Sequence, residues 1–263
     1  MPAHENIRFD LKDGVARLTL HRPDKLNSFN LAMHMEVRHA IAATAEARAR
    51  VLLLTGAGRG FCAGQDLGDR AMQASGGVPD LGASIEKFYS PLIKSLRSLE
   101  MPVVCAVNGV AAGAGANLAL ACDIVIAAES AFFYEPFCKL GLVPDTGGTY
   151  VLPRRAGVAR ALGMALLGER VSARQAAEWG MIWRAVPDAE FPEAVEAIVQ
   201  QLATGPTLGL AATKAAIYSG LTNSLHTQLD IERDLNRALG HSRDYAEGVA
   251  AFLAKRTPNF EGR

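Results

Sequence analysis

Two glycine-rich clusters stand where main-chain amides can meet a ligand. They occupy residues 56–67 and 108–117, and each follows a run of residues that predicts a buried strand. Glycine and alanine let a ligand approach the main chain, and the first N–H groups of a helix have no acceptor within it. Because the second cluster runs into a predicted helix, its amides could stabilise negative charge on an oxygen, and the spacing alone supports this interpretation and the packing one about equally. Close packing of helix against strand is the alternative that the same small residues allow.

A third cluster, at residues 144–149, contains Asp145 within Pro-Asp-x-Gly-Gly. Taken alone, this pattern is a turn or helix-cap signature. No cluster has the G-x-G-x-x-G spacing with a downstream acid, and Gly58-x-Gly60-x-x-Ala63 meets only its looser form. None ends in the Lys-Ser/Thr pair of a phosphate-binding loop. The clusters therefore argue against the common nucleotide-binding motifs.

The length and charge of the chain narrow the class of protein. Its 263 residues suit one α/β domain with a helical appendage. Lys plus Arg and Asp plus Glu both number 27, so there is no long-range positive field to hold a phosphate backbone. We therefore expect no nucleic-acid partner, and local cations must meet any anionic ligand. The most apolar stretch, residues 102–128, is interrupted by Asn108, Asn117 and Asp123, so we expect no membrane span.

The four cysteines and residues 1–10 indicate the cellular compartment in which the protein is expected. Four cysteines lie singly in apolar or glycine-rich surroundings, without a Cys-x-x-Cys pair or an adjacent histidine: Cys62, Cys105, Cys122 and Cys138. This usage predicts buried, reduced thiols. Residues 1–10 are polar and include acidic side chains, so they do not resemble a secretory signal. We therefore expect a cytoplasmic protein.

Short β-branched runs alternate with helical segments in the first 130 residues. Residues 7–11 and 15–20 predict an antiparallel hairpin, because Asp13-Gly14 supplies the positive φ values of a tight turn. Continuous apolar runs predict strands buried on both faces, and segments of helical period separate them. The strand runs are residues 51–55, 103–107 and 124–128, and the helical segments are residues 31–47 and 84–99. This alternation predicts a mostly parallel sheet with right-handed crossovers.

From residue 154 onward the pattern is helical, apart from one strand predicted at residues 181–186. The predicted helices are residues 155–167, 172–179, 193–203, 207–219, 222–239 and 242–254. Gly168 and Gly180 fit helix C-caps. Four leucines lie near helical spacing in the fifth of these helices: Leu225, Leu229, Leu235 and Leu239. We therefore expect the last 60 or so residues to form a helical region that packs against another subunit.

Four longer motifs occur in order along the chain. They are residues 21–28 (HRPDKLNS), 61–67 (FCAGQDL), 108–123 (NGVAAGAGANLALACD) and 140–148 (LGLVPDTGG). Together they resemble the crotonase superfamily, the enoyl-CoA hydratases and isomerases. The resemblance implies a spiral of ββα units over residues 1–200 and a helical trimerisation region over residues 201–263. It also implies homotrimers or homohexamers.

The resemblance further implies an acyl-CoA thioester as substrate and no separate cofactor, because coenzyme A is part of the substrate. By motif position, the main-chain N–H groups of Gln65 and Ala114 form an oxyanion hole for the thioester carbonyl. Lys25 and Lys255 are expected to meet the phosphates of coenzyme A. For each of them the alternative is a lysine that is solvated at the protein surface. The residues that the resemblance places against coenzyme A are Lys25, Leu26, Ala63, Asp66, Leu67, Phe252 and Lys255.

The position of the acids separates the members of this family. Hydratases of the family carry two glutamates, and the corresponding positions here are Asn117 and Phe137. Isomerases place an acid at the position of Asp145, and one base suffices for a 1,3-proton shift. The resemblance therefore implies an isomerase with Asp145 as proton shuttle, and a hydratase of fatty-acid β-oxidation is the alternative. Downstream motifs look like the isomerases of phenylacetate degradation, which convert a ring epoxide to an oxepin as the CoA thioester and move double bonds in acyl-CoAs.

Three neighbouring residues complete the predicted site. Asn117 is expected to orient the substrate or a water, with a side chain satisfied inside its helix as the alternative. Phe137 is expected to wall the acyl pocket, together with the segment 71–87. Glu135 belongs to this region of the pocket; we expect it to be a solvated loop residue, and a displaced second carboxylate is the alternative.

Other classes of protein compete with this hypothesis. A hydrolase of the same fold would use Asp145 as a nucleophile with a tryptophan where Phe137 stands. A metal site would need clustered histidines, which the sequence lacks, so we expect no metal. An RNA-binding or scaffolding relative is a different class of protein. It predicts a basic face and a chain that tolerates the loss of Asp145, and the zero net charge argues against the basic face.

Overall fold

A computed structural model describes residues 4–68 and 80–263. Residues 71–79 of the segment 71–87, which was expected to shape the acyl pocket, lie outside these described residues. The chain opens with the predicted hairpin, β1 (Ile7–Lys12) and β2 (Val15–Leu20). Asp13 and Gly14 have φ values of 52° and 76°, so the turn has the positive φ pair that Asp-Gly favours.

The larger sheet contains the strands that the apolar runs predict. Its further members are β3 (Val51–Gly56), β5 (Val103–Val107), β7 (Ile124–Ala128) and β10 (Arg184–Val186). The strand order is β1-β2-β3-β5-β7-β10, and every pair except β1 with β2 is parallel. The mostly parallel sheet is therefore confirmed. The last strand is shorter than predicted, because only residues 184–186 of the run 181–186 pair with β7.

The apolar runs do not predict the individual strands of a second, smaller sheet. It consists of β4 (Gly60–Cys62), β6 (Val110–Ala112), β8 (Phe132–Tyr134) and β9 (Arg170–Ser172), in that order. The strands β4, β6 and β8 follow β3, β5 and β7 after short turns, so the chain passes through both sheets in each turn of a spiral. This arrangement is the predicted spiral of ββα units.

The helices of the first half differ from prediction mainly before β5. Helix α1 (Leu31–Glu46) is capped by Asn30, whose side chain accepts a hydrogen bond from the Met33 amide. The predicted helix at residues 84–99 is in fact α2 (Leu81–Ser84), a π-helical turn (Ile85–Tyr89) and α3 (Ser90–Ser98). Helix α4 (Ala114–Ala121) follows β6, as the second glycine cluster predicts.

The second half is largely helical. A 3₁₀ helix (Pro136–Leu140) precedes α5 (Gly148–Ala156) and α6 (Val158–Leu167), which Gly157 separates where one helix was predicted. Gly157 has a φ of 82°, a value that interrupts a helix. The remaining helices are α7 (Ala173–Glu178), α8 (Phe191–Ala203), α9 (Thr207–Gly220), α10 (Leu225–Leu239) and α11 (Arg243–Leu253). Gly168 caps α6 in the left-handed conformation, as predicted.

A buried ion pair ties α9 to the sheets. Lys214 Nζ lies 2.9 Å from Asp123 Oδ2, and both side chains are largely shielded from solvent. The other oxygen of Asp123 accepts a hydrogen bond from Tyr218 of the same helix at 2.6 Å. Because a buried charge that loses its partner is costly, these contacts fix α9 on the chain's own core.

The cysteines follow the prediction with one correction. Cys62, Cys105 and Cys122 are buried free thiols, and burial raises the pKa of the Cys62 thiol to about 12. Cys138 is also a free thiol but only half-buried, because the 3₁₀ helix that carries it lies near the surface.

Candidate active site

The first motif folds onto the first glycine cluster through Asn27. The Asn27 side chain is fully buried, and its Nδ2 donates hydrogen bonds to the carbonyls of Ala57 and Gly60 at 2.9 and 2.8 Å. Its Oδ1 accepts a hydrogen bond from the Arg22 amide at 2.8 Å. Asn27 has a φ of 56°, a left-handed value that asparagine tolerates better than most residues. This clamp was not predicted, although the asparagine lies within the motif itself.

Asp66, expected near coenzyme A, forms an ion pair with Arg22. The Arg22 Nη2 atom lies 3.0 Å from Asp66 Oδ2, and Arg22 Nη1 donates to the Ser28 carbonyl at 2.6 Å. The other Asp66 oxygen accepts a hydrogen bond from the Gly68 amide. These contacts support a role for Asp66 in holding the two loops together.

The two main-chain amides of the predicted oxyanion hole are available to a ligand. Gln65 forms an isolated parallel bridge with Phe29, in which the flanking residues Gly64 and Asp66 make the hydrogen bonds. Ala114 is the first residue of α4, where an amide has no acceptor within the helix. Within residues 4–68 and 80–263, neither the Gln65 nor the Ala114 amide donates a hydrogen bond.

Gly64, which precedes Gln65, lies against the start of α4 next to the Ala114 amide. A Cβ atom added at Gly64 would lie 3.2 Å from the Ala114 nitrogen and 2.9 Å from the Ala112 carbonyl oxygen. Gly64 and Gly113 also have φ values of 88° and 54°, so each position requires glycine's backbone freedom. The segment before Gln65 therefore lies directly against the start of α4, as an oxyanion site requires.

Other glycines of the same clusters serve packing instead. A Cβ atom at Gly115 would overlap the Cys62 carbonyl oxygen, and one at Gly109 would overlap the Arg59 carbonyl oxygen. The packing interpretation is therefore correct at Gly109 and Gly115, and the oxyanion interpretation stays a prediction for Gln65 and Ala114.

The side chain of Gln65 is fixed from two sides. Its Nε2 donates to the Phe29 carbonyl at 3.0 Å, and its Oε1 accepts a hydrogen bond from the Tyr89 hydroxyl at 2.9 Å. Tyr89 is 1% exposed and lies in the π-helical turn. This turn precedes Pro91, which has no N–H to donate to the Lys87 carbonyl, and Arg38 donates to that carbonyl instead.

We expect the substitution Tyr89→Phe to weaken the predicted oxyanion hole without unfolding the protein. The change removes one hydrogen bond to Gln65, worth about 1 kcal/mol, so kcat/KM for an acyl-CoA substrate falls about fivefold. The matched variant Tyr245→Phe alters an exposed tyrosine and leaves kcat/KM unchanged. Steady-state kinetics on both variants check this, and an unchanged kcat/KM in Tyr89→Phe would contradict the positioning of Gln65 by Tyr89.

Asp145 lies in the turn between the 3₁₀ helix and α5. Its carbonyl accepts a hydrogen bond from the Gly148 amide at 2.8 Å, so the turn signature is confirmed. Its side-chain Oδ1 accepts a hydrogen bond from the Thr146 hydroxyl at 2.8 Å. The residue is half-buried, which leaves its carboxylate within reach of a ligand.

Asn117 connects α4 to the Asp145 turn. Its Nδ2 donates to the Asp145 carbonyl at 2.9 Å and to Glu135 Oε2 at 3.4 Å. The side chain is fully buried, and a Cβ atom at Gly148 would overlap its amide group. The alternative in which Asn117 is satisfied inside its own helix is therefore wrong, because its partners lie on other segments.

The expectation that Glu135 is a solvated loop residue is wrong. Its exposed fraction is 0%, because the chain turns inward between β8 and the 3₁₀ helix, and the side chain lies beneath α4 beside Asn117. Burial raises the pKa of the Glu135 carboxyl well above its usual range, the Asn117 hydrogen bond lowers it, and the charge of Asp145 raises it further.

Phe137 forms an apolar wall next to the start of α4. Its ring is 8% exposed, and two ring carbons lie 3.7 Å from where a Cβ atom of Gly113 would stand. The ring is thus close to the Ala114 amide, as the predicted pocket requires. Asn117, Glu135, Phe137, Asp145 and Ala114 are therefore brought together at one end of α4.

The residues expected to hold coenzyme A lie in two groups. Leu26 accepts a hydrogen bond from the Ala63 amide at 2.9 Å, and Lys25 and Leu67 are exposed beside them in the chain. Phe252 is 83% exposed near the end of α11, and Lys255 follows that helix. In the described part of the chain, no hydrogen bond or ion pair joins the two groups.

Two further features concern metals and membranes. Among the described residues, no three His, Cys, Asp or Glu side chains are grouped closely enough to hold a metal ion. Those residues also contain no helix that is long and apolar enough to cross a membrane.

Comparison with known proteins decides the family. Residues 10–263 match the family model described as enoyl-CoA hydratase/isomerase. The chain belongs to this family. The protein named 1,2-epoxyphenylacetyl-CoA isomerase from Escherichia coli (strain K12) is 56% identical over 260 residues, which cover 98% of this chain and 99% of that protein. A probable enoyl-CoA hydratase from Rhodobacter capsulatus is 48% identical over 261 residues, which cover 99% of this chain and 100% of that protein.

Solved structures of enoyl-CoA hydratase/isomerase relatives share the fold. A putative enoyl-CoA hydratase/isomerase from Mycobacterium abscessus superimposes with a TM-score of 0.92 at 33% identity, covering 98% of this chain and 100% of that chain. An enoyl-CoA hydratase from Bacillus anthracis has a TM-score of 0.92 at 35% identity with the same coverage. The crotonase resemblance, the fold class and the enzyme class expected from the motifs are therefore confirmed.

Proposed function

We propose that this enzyme is an acyl-CoA isomerase with one proton-transferring carboxylate. The observation that carries this proposal is the set of side chains at the end of α4. An amide, Asn117, and a phenyl ring, Phe137, stand where hydratases of the family carry glutamates. Asn117 donates to the carbonyl of the half-buried Asp145, and the Phe137 ring lies beside Gly113. Adding water across a double bond uses one group to activate the water and another to protonate carbon, whereas a 1,3-proton shift needs one base.

The proposed reaction starts with removal of a proton by Asp145 from the carbon next to the thioester. The electron pair of the broken C–H bond moves onto the thioester oxygen, where the amides of Gln65 and Ala114 stabilise the negative charge. Asp145 then returns the proton to another carbon of the acyl group, so that the enzyme ends in its starting state. Phe137 keeps this end of the pocket apolar, and no cofactor is required.

The proposed substrates are 1,2-epoxyphenylacetyl-CoA, which would yield an oxepin-CoA, and 3-enoyl-CoA, which would yield 2-enoyl-CoA. The 56% identity to the Escherichia coli 1,2-epoxyphenylacetyl-CoA isomerase supports the first. The exposed cations Lys25 and Lys255 would bind the coenzyme A phosphates. Asp66 would hold the loop that contains Lys25 through its ion pair with Arg22. The residues that would surround the nucleotide are Leu26, Ala63, Leu67 and Phe252.

A hydratase is the second candidate. The Rhodobacter capsulatus relative is named a probable enoyl-CoA hydratase, and Glu135 adds a second carboxyl group to this site. An RNA-binding or scaffolding role has less support, because the chain's net charge is zero.

A substrate panel tests the proposal. The purified protein is assayed with the phenylacetyl epoxide, 3-enoyl, 2-enoyl and dienoyl CoA thioesters, and its binding to an immobilised CoA thioester is compared with RNA binding at physiological salt. We expect turnover of the epoxide or the 3-enoyl thioester and no RNA binding. Turnover of the 2-enoyl thioester alone would establish a hydratase instead.

The proposed assembly is a cytoplasmic homotrimer or homohexamer, with a spiral core (1–200) and a helical oligomerisation region (201–263). The apolar side chains that the last helices expose support it, and they include Leu225 at 76% and Leu229 at 54% exposure. Helix α10 has no buried residue in the single chain. We therefore expect light scattering at micromolar concentration to give the mass of a trimer or hexamer, and a monomer would contradict the assembly.

A further inference from the structure

Two buried oxygen atoms at the end of α4 have no hydrogen-bond partner within the described residues. They are Glu135 Oε1 and Asn117 Oδ1. The same two side chains are already hydrogen-bonded to each other through their remaining polar atoms, since Asn117 Nδ2 donates to Glu135 Oε2 at 3.4 Å. Buried polar atoms are rarely left unpaired, since each costs the free energy of its lost hydration. Something therefore has to supply a donor here.

An ionised glutamate cannot supply that donor, because a carboxylate only accepts hydrogen bonds. A neutral carboxylic acid has one O–H donor and keeps a carbonyl acceptor. A proton on Glu135 Oε1 that is donated to Asn117 Oδ1 would satisfy both unpaired atoms. The acid and the amide would then be joined by two antiparallel hydrogen bonds, while the second N–H of Asn117 donates to the Asp145 carbonyl.

The surrounding charges also favour the neutral form. Glu135 is fully buried, and the charge that acts on it among the described residues is that of Asp145, which has the same sign. Helix α4 above it carries no charged side chain. Three cations on neighbouring segments lie over aromatic rings instead: Lys139, Arg160 and Arg170.

We propose that Glu135 is held as a neutral acid paired with Asn117, and that this acid–amide pair positions Asp145 in the site. Glu135 is then a positioning residue that acts through Asn117, and it is not a second base. This inference rests on the proposed function for its effect on turnover, but the protonation of Glu135 does not depend on that function. It also explains why a second carboxyl group in the site does not provide the carboxylate that hydration needs.

Three variants separate a neutral paired acid from a catalytic carboxylate. Glu135→Gln keeps one donor and one acceptor in the same positions, whereas Glu135→Met keeps neither and has a similar length. Glu193→Gln makes the same chemical change at an exposed position of α8 and serves as control. Each is assayed for 3-enoyl-CoA isomerisation at pH 7, and its unfolding equilibrium is measured from pH 5 to pH 9.

The expected kinetic result is that Glu135→Gln and the control keep kcat within about threefold of the wild type. Glu135→Met should lower kcat about tenfold, because it leaves Asn117 Oδ1 buried without a donor and so loosens the amide that donates to the Asp145 carbonyl. A loss of more than a hundredfold in Glu135→Gln would overturn the proposal, since it would make Glu135 a proton-transferring group. Equal kcat values in Glu135→Gln and Glu135→Met would also overturn it, because the pair would then have no positioning role.

The stability measurement is independent of turnover. Above pH 4.5 the unfolded chain loses the Glu135 proton while the folded chain keeps it, so the wild type loses stability as pH rises toward the folded pKa. Relative to Glu135→Gln, its folding equilibrium constant should fall up to about tenfold per pH unit in that range. The control should follow the wild type. Parallel stability curves for the wild type and Glu135→Gln would overturn the proposal, even if the wild type isomerised none of the substrates.

Discussion

Replacing Asp145 with asparagine is expected to lower kcat for isomerisation by about 10²–10⁴-fold, the usual contribution of a general acid–base group. The amide has nearly the volume of the carboxylate but cannot accept and return a proton. Its carbonyl oxygen can still accept the hydrogen bond from Thr146, and the main-chain bond from Gly148 is unaffected. We therefore expect the Kd for the acyl-CoA, measured by calorimetry with a substrate analogue, to change little.

The control for this prediction is Asp10→Asn, which changes an exposed aspartate on β1. It should keep the wild-type kcat. If Asp145→Asn kept more than about a tenth of the wild-type kcat, another group would carry the proton and the assignment of Asp145 would be wrong.

Replacing Ala114 with proline is expected to remove one oxyanion donor while the helix stays intact. Ala114 is the first residue of α4, a position where proline is well tolerated because its missing N–H has no acceptor in the helix. Loss of a single donor of this kind typically costs about 10²–10³-fold in kcat. The proline ring also occupies the space in front of the former N–H, so kcat/KM should fall at least a hundredfold.

Val158→Pro is the matched control for this change. Val158 is the first residue of α6 and follows a glycine with positive φ, as Ala114 does, but its side chain is exposed. Circular dichroism should show both variants folded, and only Ala114→Pro should lose activity. An Ala114→Pro enzyme with a folded spectrum and wild-type kcat/KM would show that the thioester oxygen binds elsewhere.

The central strands β3, β5 and β7 of the larger sheet were predictable because they are largely buried on both faces. Runs such as 103–107 consist entirely of apolar residues, and only a strand between helical layers or a buried helix has that pattern. The smaller sheet was not predictable from local pattern, because its strands have only three residues each. Two of them, β4 and β6, consist of residues whose glycine-rich surroundings predicted ligand-binding loops. Their pairing depends on contacts between successive turns of the spiral.

The candidate site was predictable where a motif fixes the main chain, and not where distant side chains meet. The glycine clusters allow free amides at a helix start, and the family resemblance assigns them to Gln65 and Ala114. In contrast, Tyr89 lies 24 residues from Gln65, within a segment that has the pattern of an ordinary helix. The burial of Glu135 depends on the direction that the chain takes after β8, and a glutamate next to a proline gives no local signal for it.

The central claim is that one proton-transferring carboxylate serves this site, and the wild-type enzyme tests it most directly. We propose to measure kcat/KM for isomerisation of a 3-enoyl-CoA to its conjugated 2-enoyl isomer and for hydration of crotonyl-CoA, with the same enzyme preparation and buffer. Because the proposed site has no second carboxylate to activate water, kcat/KM for isomerisation should exceed kcat/KM for hydration by about a hundredfold or more. A kcat/KM for hydration equal to or above that for isomerisation would contradict the account, since a second group, Glu135 first among them, would then have to activate water.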